Sequence, residues 1–194
     1  MDAPASSLKA VCHGLTAIRL AKSHPVPIDP NFAGMKISSL APPTNTEALE
    51  GLVRLIVESH VRVVGQPLIP NPSTLGVELG EALWAAPRAV VAHGIQTDPV
   101  FCYGNRMALE LFEMNFAAFT TLPSRYSAEP VAREERAALL ERVTRDAYID
   151  DYAGIRISSS GRRFRIENAT VWNLIDAHGV YRGQAATFTD WMWL

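Results

Sequence analysis

The sequence predicts an α+β fold in which two strands are followed by several helices and then by three strands, with helices also preceding the first strand. Three observations lead to this prediction. Apolar residues recur at helical spacing before Pro87, the pattern becomes that of short strands from Arg88, and two turns divide the C-terminal part into three strands. The chain has 194 residues, of which 48% are hydrophobic and 20% charged, so it fits one globular domain and an extension.

The composition argues against several classes of protein. The formal net charge is −2 and the pI is about 6.2, so general binding to nucleic acid or to anionic membranes is not favoured. Cys12 and Cys102 are the only cysteines, and their separation supports neither a disulfide framework nor a zinc site. No apolar run approaches the roughly 20 residues of a membrane span, and the N-terminus lacks the segments of a secretory signal. We therefore expect a cytoplasmic protein with no direct nucleic-acid partner and no membrane partner.

Residues 1–43 contain many prolines and serines, which interrupt regular structure. We expect a loosely ordered N-terminal extension here, apart from a brief helix within 10–21, and a folded domain over 44–194. The extension has two acidic residues, Asp2 and Asp29, against four basic ones. This imbalance leaves open a transit peptide, and with it an organelle (plastid) location as the alternative to the cytoplasm.

The folded domain is predicted to begin with a helix over residues 45–63. Thr44 and Glu47 have the spacing of a capping box, and apolar residues follow at helical intervals as far as Val63. The apolar face is wider than one docking surface needs. The helix therefore either packs against the domain alone or also forms a homodimer with a second protomer. A shorter helix is predicted from Ser73 to Trp84.

A strand-to-helix turn is predicted at Gly104. Residues 89–93 and 100–103 are short apolar runs that predict a hairpin, Gly104 allows a sharp turn, and Asn105 can cap the helix that follows. Another helix is predicted from Pro130 to about Ala147. The apolar face of the helix after Gly104 is formed by Ala108, Leu111, Phe112 and Phe116.

The C-terminal part predicts a three-stranded antiparallel meander. Strands are expected over 152–158, 163–175 and 180–193, with turns between them. Side chains along a strand alternate between its two faces. In the second of these strands, alternation would place one set of side chains on a single face, namely Phe164, Ile166, Asn168, Thr170, Trp172 and Leu174.

Short motifs follow one another in a characteristic order. They are Leu83-Trp-Ala-Ala-Pro-Arg88, Tyr103-Gly-Asn-Arg106, Leu109-Glu-Leu-Phe112, Leu122-Pro-Ser-Arg125, Ser127-Ala-Glu-Pro130 and Ala169-Thr-Val-Trp-Asn-Leu-Ile-Asp176. With this order and spacing, the stretch from about residue 45 to residue 194 resembles the MEKHLA domain family. The order of the predicted elements resembles that of PAS-like domains.

The resemblance implies a PAS-like five-stranded antiparallel sheet with helices on one face and an N-terminal helical cap. It implies a sensory or interaction module, since the family occurs as small stand-alone proteins and at the C-terminus of plant class III homeodomain-leucine zipper transcription factors. No catalytic residues come with it. Nothing in the chain resembles a homeodomain or a zipper, so DNA binding is not implied. The sequence identifies no cofactor, and the expected partner is a small molecule, a protein, or both.

A ligand pocket is expected between the long strand and the helix after Gly104. Its predicted lining residues are Phe112, Phe116, Phe164, Asn168 and Trp172. Such a pocket would take a largely apolar ligand, and Asn168 would give it one hydrogen bond. The alternative for Asn168 is a buried hydrogen bond to the backbone, because a buried polar group needs a partner.

A second candidate site is the turn before the long strand, where hydroxyl groups and arginines occur together. The predicted anion-binding residues are Arg156, Ser160, Arg162 and Arg163. The alternative is a solvated hairpin tip whose arginines pair with Glu134, Asp151 or Glu167.

Other functions stay open. A small acid–base enzyme of a curved-sheet fold would use His93, Asp98, Tyr103 or Tyr126, although their spacing forms no dyad or triad. A purely structural dimerisation module would lack a cavity. Cys102 falls in a predicted strand, so we expect a small buried thiol and not the reactive cysteine of a flavin photosensor. The histidines show no metal-ligand spacing.

Overall fold

A computed structural model describes residues 40–71, 76–129 and 133–194. The predicted extension up to residue 39, the helix within 10–21 and the predicted cap Ser73 lie outside these residues. The helices are α1 (Glu47–Val64), α2 (Leu79–Trp84), α3 (Arg106–Phe112), α4 (Phe116–Phe119), a 3-10 helix (Ser124–Ser127) and α5 (Arg133–Asp146). The strands are β1 (Ala89–His93), β2 (Phe101–Gly104), β3 (Tyr148–Ile157), β4 (Arg163–Ile175), β5 (Tyr181–Phe188) and β6 (Asp190–Trp193).

The six strands form one antiparallel sheet. Its order is β2-β1-β5-β4-β3, and β6 pairs with the first part of β4. The predicted hairpin, the predicted meander and the α+β fold class are therefore confirmed. The last predicted strand is wrong in one respect, because residues 180–193 contain two strands that separate at Thr189. β5 also pairs with β1, which joins the hairpin and the meander into a single sheet.

The sheet separates two apolar cores. Helices α3, α4 and α5 lie against one face, which we call the inner face, and α1 lies against the other, which we call the outer face. The inner core includes Phe101, Phe112, Phe119, Phe164, Ile166 and Val171. The outer core includes Val53, Ile56, Leu83, Tyr103, Trp172 and Leu174. Helices cover both faces, so the sheet has two buried apolar surfaces.

Helix α1 starts later than its capping box predicts. The N-cap is Thr46, whose hydroxyl accepts a hydrogen bond from the Leu49 amide at 3.2 Å, and Thr44 precedes the helix. The helix ends at Gly65, which adopts φ of 80° in the left-handed region that glycine tolerates best. The predicted helix is confirmed, and the predicted N-cap, Thr44, is wrong by two residues.

The wide apolar face of α1 is explained by two neighbours, the sheet and α2. Towards the sheet, the Trp172 indole N–H donates to the Ser59 hydroxyl at 3.1 Å, and that hydroxyl donates to the Ile56 carbonyl at 3.2 Å. The His60 ring meets the Trp172 ring edge-on, with 4.8 Å between their centroids. The helix is thus fixed to the sheet by apolar contacts and by one buried polar chain.

The turn from β2 into α3 is held by Asn105, as the sequence predicts. Its side-chain oxygen accepts from the amides of Ala108, at 3.2 Å, and of Val90, at 2.9 Å. Its side-chain nitrogen donates to the carbonyls of Arg88, at 2.8 Å, and Leu83, at 3.3 Å. One buried amide therefore caps the helix and ties it to β1 and α2.

The predicted alternation along β4 is wrong in the second half of the strand. Phe164 and Ile166 face inwards as expected, but Asn168 adopts φ of 50° and the next inward residues are Ala169 and Val171. β4 gains one residue relative to β3 here, since Gly154 pairs with Ile166 and Tyr152 with Ala169. Such a β-bulge moves every later side chain to the opposite face.

Candidate ligand-binding site

A cavity of about 50 Å³ lies between the inner face of the sheet and the helices. Strands β1, β2, β4 and β5 form its floor, and Phe112 of α3 and Leu139 of α5 close it from the helical side. Its apolar lining includes Val91, Phe101, Phe112, Ile166, Val171 and Phe188. Its polar lining includes His93, Ser127, Tyr152, Arg156 and Gln184. An apolar cavity with a few convergent polar groups is the usual form of a small-molecule site.

One end of the cavity is formed by Tyr152 and Arg156 on β3. Arg156 pairs across the strands with Phe164, so its side chain lies on the inner face. Its guanidinium donates to the Tyr152 hydroxyl and, at 3.0 Å, to the Ile155 carbonyl. Gly154 lies between the two residues and makes this arrangement possible, because a Cβ atom there would come within 2.3 Å of the Tyr152 hydroxyl oxygen.

Gln184, another polar residue of the cavity lining, belongs to a hydrogen-bonded network. The Gln184 amide donates to the Asn173 side-chain oxygen at 3.1 Å and to the Thr144 hydroxyl at 3.2 Å. Asn173 in turn donates to the Val143 carbonyl at 2.9 Å, near the end of α5. Both amides are buried, so this network fixes α5 against β4 and β5.

The cavity meets an open groove on the surface. Leu139, Tyr152 and Arg156 line both, and the groove has a volume of about 510 Å³. It runs between β3 and α5, and its charged lining residues are Asp151 of β3, Arg142 of α5, Arg165 of the neighbouring β4 and Glu129, which precedes α5. Tyr152 and Arg156 therefore lie at the boundary between the cavity and the groove.

The predicted ligand-binding residues are not brought together. Phe112 lines the cavity, and Phe164 packs behind it, with 5.2 Å between their ring centroids. Phe116, the first residue of α4, contacts Tyr103 of the outer core, with 6.1 Å between the ring centroids. The bulge places Trp172 in the outer core, and it leaves Asn168 exposed, where its amide donates to Asp190 at 3.1 Å. The expectation that Phe164, Asn168 and Trp172 share a face is wrong.

The structure also places the predicted anion-binding residues in different surroundings. The Ser158 hydroxyl donates to the Glu113 carboxylate at 2.6 Å, Ser160 also donates to it, and Arg162 donates to it at 3.2 Å. Burial opposes ionisation of Glu113, but these hydrogen bonds outweigh it and lower the pKa of the carboxyl. The turn therefore already holds an anion of the chain itself.

The other two predicted anion-binding arginines, Arg156 and Arg163, do not contact Glu113. Arg163 pairs with Glu129 at 2.6 Å, and the neighbouring Arg165 pairs with Glu167 at 2.7 Å. Arg156 is the exception, because it points to the inner cavity. The sequence contains a signal for this position, since Tyr152, Gly154 and Arg156 occupy alternate positions of one strand, which places them on one face.

The acid–base candidates do not form a common site. Asp98 pairs with Arg125 at 2.8 Å, and Tyr126 stacks against the Arg125 guanidinium at 4.0 Å from the ring centroid. His93 lines the inner cavity. Tyr103 lies in the outer core, where burial raises the pKa of its hydroxyl. These groups therefore belong to three separate environments.

Burial raises the pKa of the Cys102 thiol to about 11, which keeps it protonated at neutral pH. Within the ranges that the structure describes, no group of three or more His, Cys, Asp or Glu residues could hold a metal ion. None of the described helices has the length and apolar character needed to cross a bilayer.

A sheet ordered β2-β1-β5-β4-β3, with the helices between β2 and β3 closing a cavity on its inner face, defines a PAS-like domain. More specifically, this chain belongs to the MEKHLA domain family, because the sequence profile of that domain matches residues 50–193.

Known proteins with related sequences are much longer than this chain. It is 29% identical to homeobox-leucine zipper protein ATHB-14 of Arabidopsis thaliana over 81% of this chain and 19% of that protein. It is 24% identical to homeobox-leucine zipper protein HOX9 of Oryza sativa subsp. japonica over 82% of this chain and 18% of that protein. The chain therefore spans about a fifth of the length of the curated relatives it matches.

Solved structures with similar folds include PAS and light-oxygen-voltage proteins. The PAS domain of a Colwellia psychrerythraea protein matches with a TM-score of 0.49 and 13% identity, over 55% of this chain and 88% of that one. The light-state dimer of the fungal blue-light photoreceptor Vivid matches with a TM-score of 0.47 and 17% identity, over 77% of this chain and 97% of that one. The fold assignment follows from the strand order and not from these superpositions.

Proposed function

We propose that the chain is a non-enzymatic sensory or interaction module, and that its inner cavity binds a small, largely apolar molecule. One observation supports this most directly, namely a mainly apolar cavity between the sheet and the helices that shares lining residues with a surface groove. Polar groups converge on it from β3 and β5, where they would orient a ligand. Membership of the MEKHLA family agrees with a sensory role.

The size of the cavity limits the ligand. Its volume of about 50 Å³ is a third of the roughly 150 Å³ of an engineered apolar cavity that binds benzene. A ligand buried completely would therefore have only a few non-hydrogen atoms. Any larger ligand would keep part of its body in the groove beyond Arg156.

Ligand binding would be transmitted through the helices. Phe112, Leu139 and Ser127 close the cavity from α3, α5 and the 3-10 helix, while the other walls belong to the hydrogen-bonded sheet. Protein interiors are close-packed, so added atoms displace the weaker wall first. The expected response is a shift of α3 and α5 relative to the sheet, which changes the surface offered to a protein partner.

The proposal is tested by filling the cavity. Ala186 lines it, and Ala186→Leu would occupy much of its volume. Ala117→Leu makes the same change at an exposed position of α4 and serves as the control. A set of neutral and ionic fragments of up to about eight non-hydrogen atoms would be screened by thermal unfolding, since ligands that bind the folded state raise its midpoint.

We expect some fragments to raise the unfolding midpoint of the wild-type protein and of Ala117→Leu, and none of these to raise that of Ala186→Leu. Equal shifts in all three proteins would mean that the fragments bind elsewhere. The groove of about 560 Å³ between α1 and α2, beside Tyr103 and Arg106, would then be the next candidate.

A homodimer through the helix over 45–63 stays a prediction. Packing against the sheet and α2 accounts for most of the apolar width of α1, and Val61, with 48% of its surface exposed, is the large apolar residue left open on it. Light scattering on Val61→Glu and wild-type protein would test this. A dimer through α1 would be weakened by the substitution, and an unchanged mass would argue against it.

A further inference from the structure

We propose that the ligand of the inner cavity is a short-chain monocarboxylate, with its apolar tail in the cavity and its carboxylate bound by Arg156 and Tyr152. This inference rests on the proposed function, because it names the chemical class of ligand for the same cavity. It follows from the surroundings of Arg156, from the geometry of Tyr152 and from the charge of the groove that leads to them.

Arg156 is a buried cation at the boundary between the mainly apolar cavity and the groove. Only 8% of its surface is exposed, and it lies across the strands from the fully buried Phe164. A buried charge is costly unless an opposite charge or several hydrogen bonds compensate it. Among the side chains that the structure describes, the ion pairs within 4.0 Å do not include Arg156.

The contacts of Arg156 leave room for an anion. Its guanidinium donates to the Ile155 carbonyl at 3.0 Å and to the Tyr152 hydroxyl, and it lies over the Tyr152 ring at 5.2 Å from the centroid. All of these partners are neutral. A guanidinium has five N–H donors in a planar fork that matches a carboxylate. A ligand carboxylate would therefore supply the negative charge that the described side chains do not supply.

Tyr152 is placed to bind the same carboxylate. Its hydroxyl oxygen accepts from Arg156 and keeps its own hydrogen to donate. Its position depends on Gly154, where a Cβ atom would lie 2.3 Å from that oxygen and 3.5 Å from the nearest Arg156 nitrogen. Both residues line the cavity and the groove, so the carboxylate would lie where the two meet.

The groove outside favours an anion at this point. Two of its charged lining residues are paired within the chain, Arg165 with Glu167 and Glu129 with Arg163. The other charged lining residues are two arginines, Arg142 and Arg156, and one acid, Asp151, which leaves an excess of one positive charge. A cleft with an excess of one sign of charge raises the local concentration of the opposite ion. An incoming carboxylate would therefore be attracted towards Arg156.

The cavity selects among anions. One buried guanidinium compensates one negative charge, so a monocarboxylate matches it, whereas a phosphate would bring excess charge into an apolar site. The apolar walls, which include Phe112, Ile166 and Val171, favour an alkyl tail. A volume of about 50 Å³ accommodates only a short one.

The test compares butyrate with butyramide, its neutral analogue of nearly the same shape. Binding would be titrated by NMR on wild-type protein, on Arg156→Gln and on Arg145→Gln, which removes an exposed guanidinium that lines neither the cavity nor the groove. We expect wild-type protein and Arg145→Gln to prefer butyrate by about 10-fold or more, because a charged hydrogen bond is the stronger kind. Arg156→Gln should weaken butyrate binding by about 10- to 100-fold and leave butyramide unchanged.

Tyr152→Phe provides a second variant, in case Arg156→Gln does not fold. It removes one hydroxyl and keeps the ring. We expect it to weaken butyrate binding by about 3- to 10-fold and to have little effect on butyramide binding. Equal binding of both probes by wild-type protein would overturn the carboxylate inference and leave the proposed function standing. Binding of neither butyrate nor butyramide, together with no hit in the fragment screen, would overturn both.

Discussion

At the scale of single residues, Asn105 carries an unusual number of contacts. Its buried side-chain amide accepts from the backbone N–H groups of Val90 in β1 and Ala108 in α3. It donates to the carbonyls of Leu83 in α2 and of Arg88, which directly precedes β1. Asn105→Ala should lower the free energy of unfolding by about 2–4 kcal/mol, because it removes the cap and leaves buried backbone groups without partners. Chemical denaturation would measure this.

The matched control is Asn115, the N-cap of α4. It also accepts from the amide three residues later, Ala118, at 2.8 Å, but it is only partly buried. Asn115→Ala should cost about 1 kcal/mol. If the two substitutions had equal effects, Asn105 would be an ordinary cap and not a link between the helix and the sheet.

At the same scale, His60 should make the stability depend on pH. Burial lowers its pKa, the charge of Arg88 adds to this, and the hydrogen bond to the Gln66 carbonyl opposes it. The folded state therefore binds the proton less readily than the unfolded state, for which the pKa is about 6.5. The contribution of His60 is full above that pH and is lost as the pH falls towards the lower folded value.

Denaturation at pH 7.5, 6.5 and 5.5 tests this expectation. His60→Gln should flatten the fall in stability below pH 6.5, and His178→Gln, at an exposed turn, should leave it unchanged. An identical pH dependence in wild-type protein and His60→Gln would show that other groups cause it.

At the scale of elements, the docking of α1 on the outer face should contribute strongly to stability. Ile56 is fully buried, whereas Val61 on the same helix is 48% exposed. Ile56→Ala should lower the free energy of unfolding by about 2–5 kcal/mol, which includes the effect of the cavity that the substitution leaves. Val61→Ala should change stability by less than about 0.5 kcal/mol. A small effect at Ile56 would mean that α1 is bound only loosely.

The bulge in β4 is the element-scale feature that sequence patterns could not locate. A regular strand alternates, and nothing around Glu167 and Asn168 marks the extra residue except an asparagine, which tolerates the left-handed conformation better than most residues. Side chains after the bulge lie on the face opposite to the one that regular alternation predicts. The predicted inward position is therefore confirmed for Phe164 and wrong for Trp172.

This conformation gives a direct test of the bulge. Asn168→Gly should leave stability nearly unchanged, while Asn168→Val should lower it by about 1–2 kcal/mol, since a β-branched residue is strained at φ of 50°. The same cost for both variants would point to the hydrogen bond from Asn168 to Asp190 as the cause.

At the scale of the whole molecule, the sequence predicts the fold better than the site. Periodicity and caps identify the strands and most helices, because those signals are local. The cavity depends on residues from five strands and three helices, and on a bulge that decides which of them meet. Of the predicted ligand-binding residues, Phe112 lines it, and Arg156 lines it although it was assigned to a different site.

The proposed function requires that small molecules bind on the inner face of the sheet. The most direct measurement is intermolecular NOEs between the tightest-binding fragment and labelled methyl groups of the protein. We expect NOEs to Val91, Ile166 and Val171, which line the inner cavity. NOEs to Val53 and Leu79, which line the groove between α1 and α2, with none to the inner methyl groups, would contradict the claim.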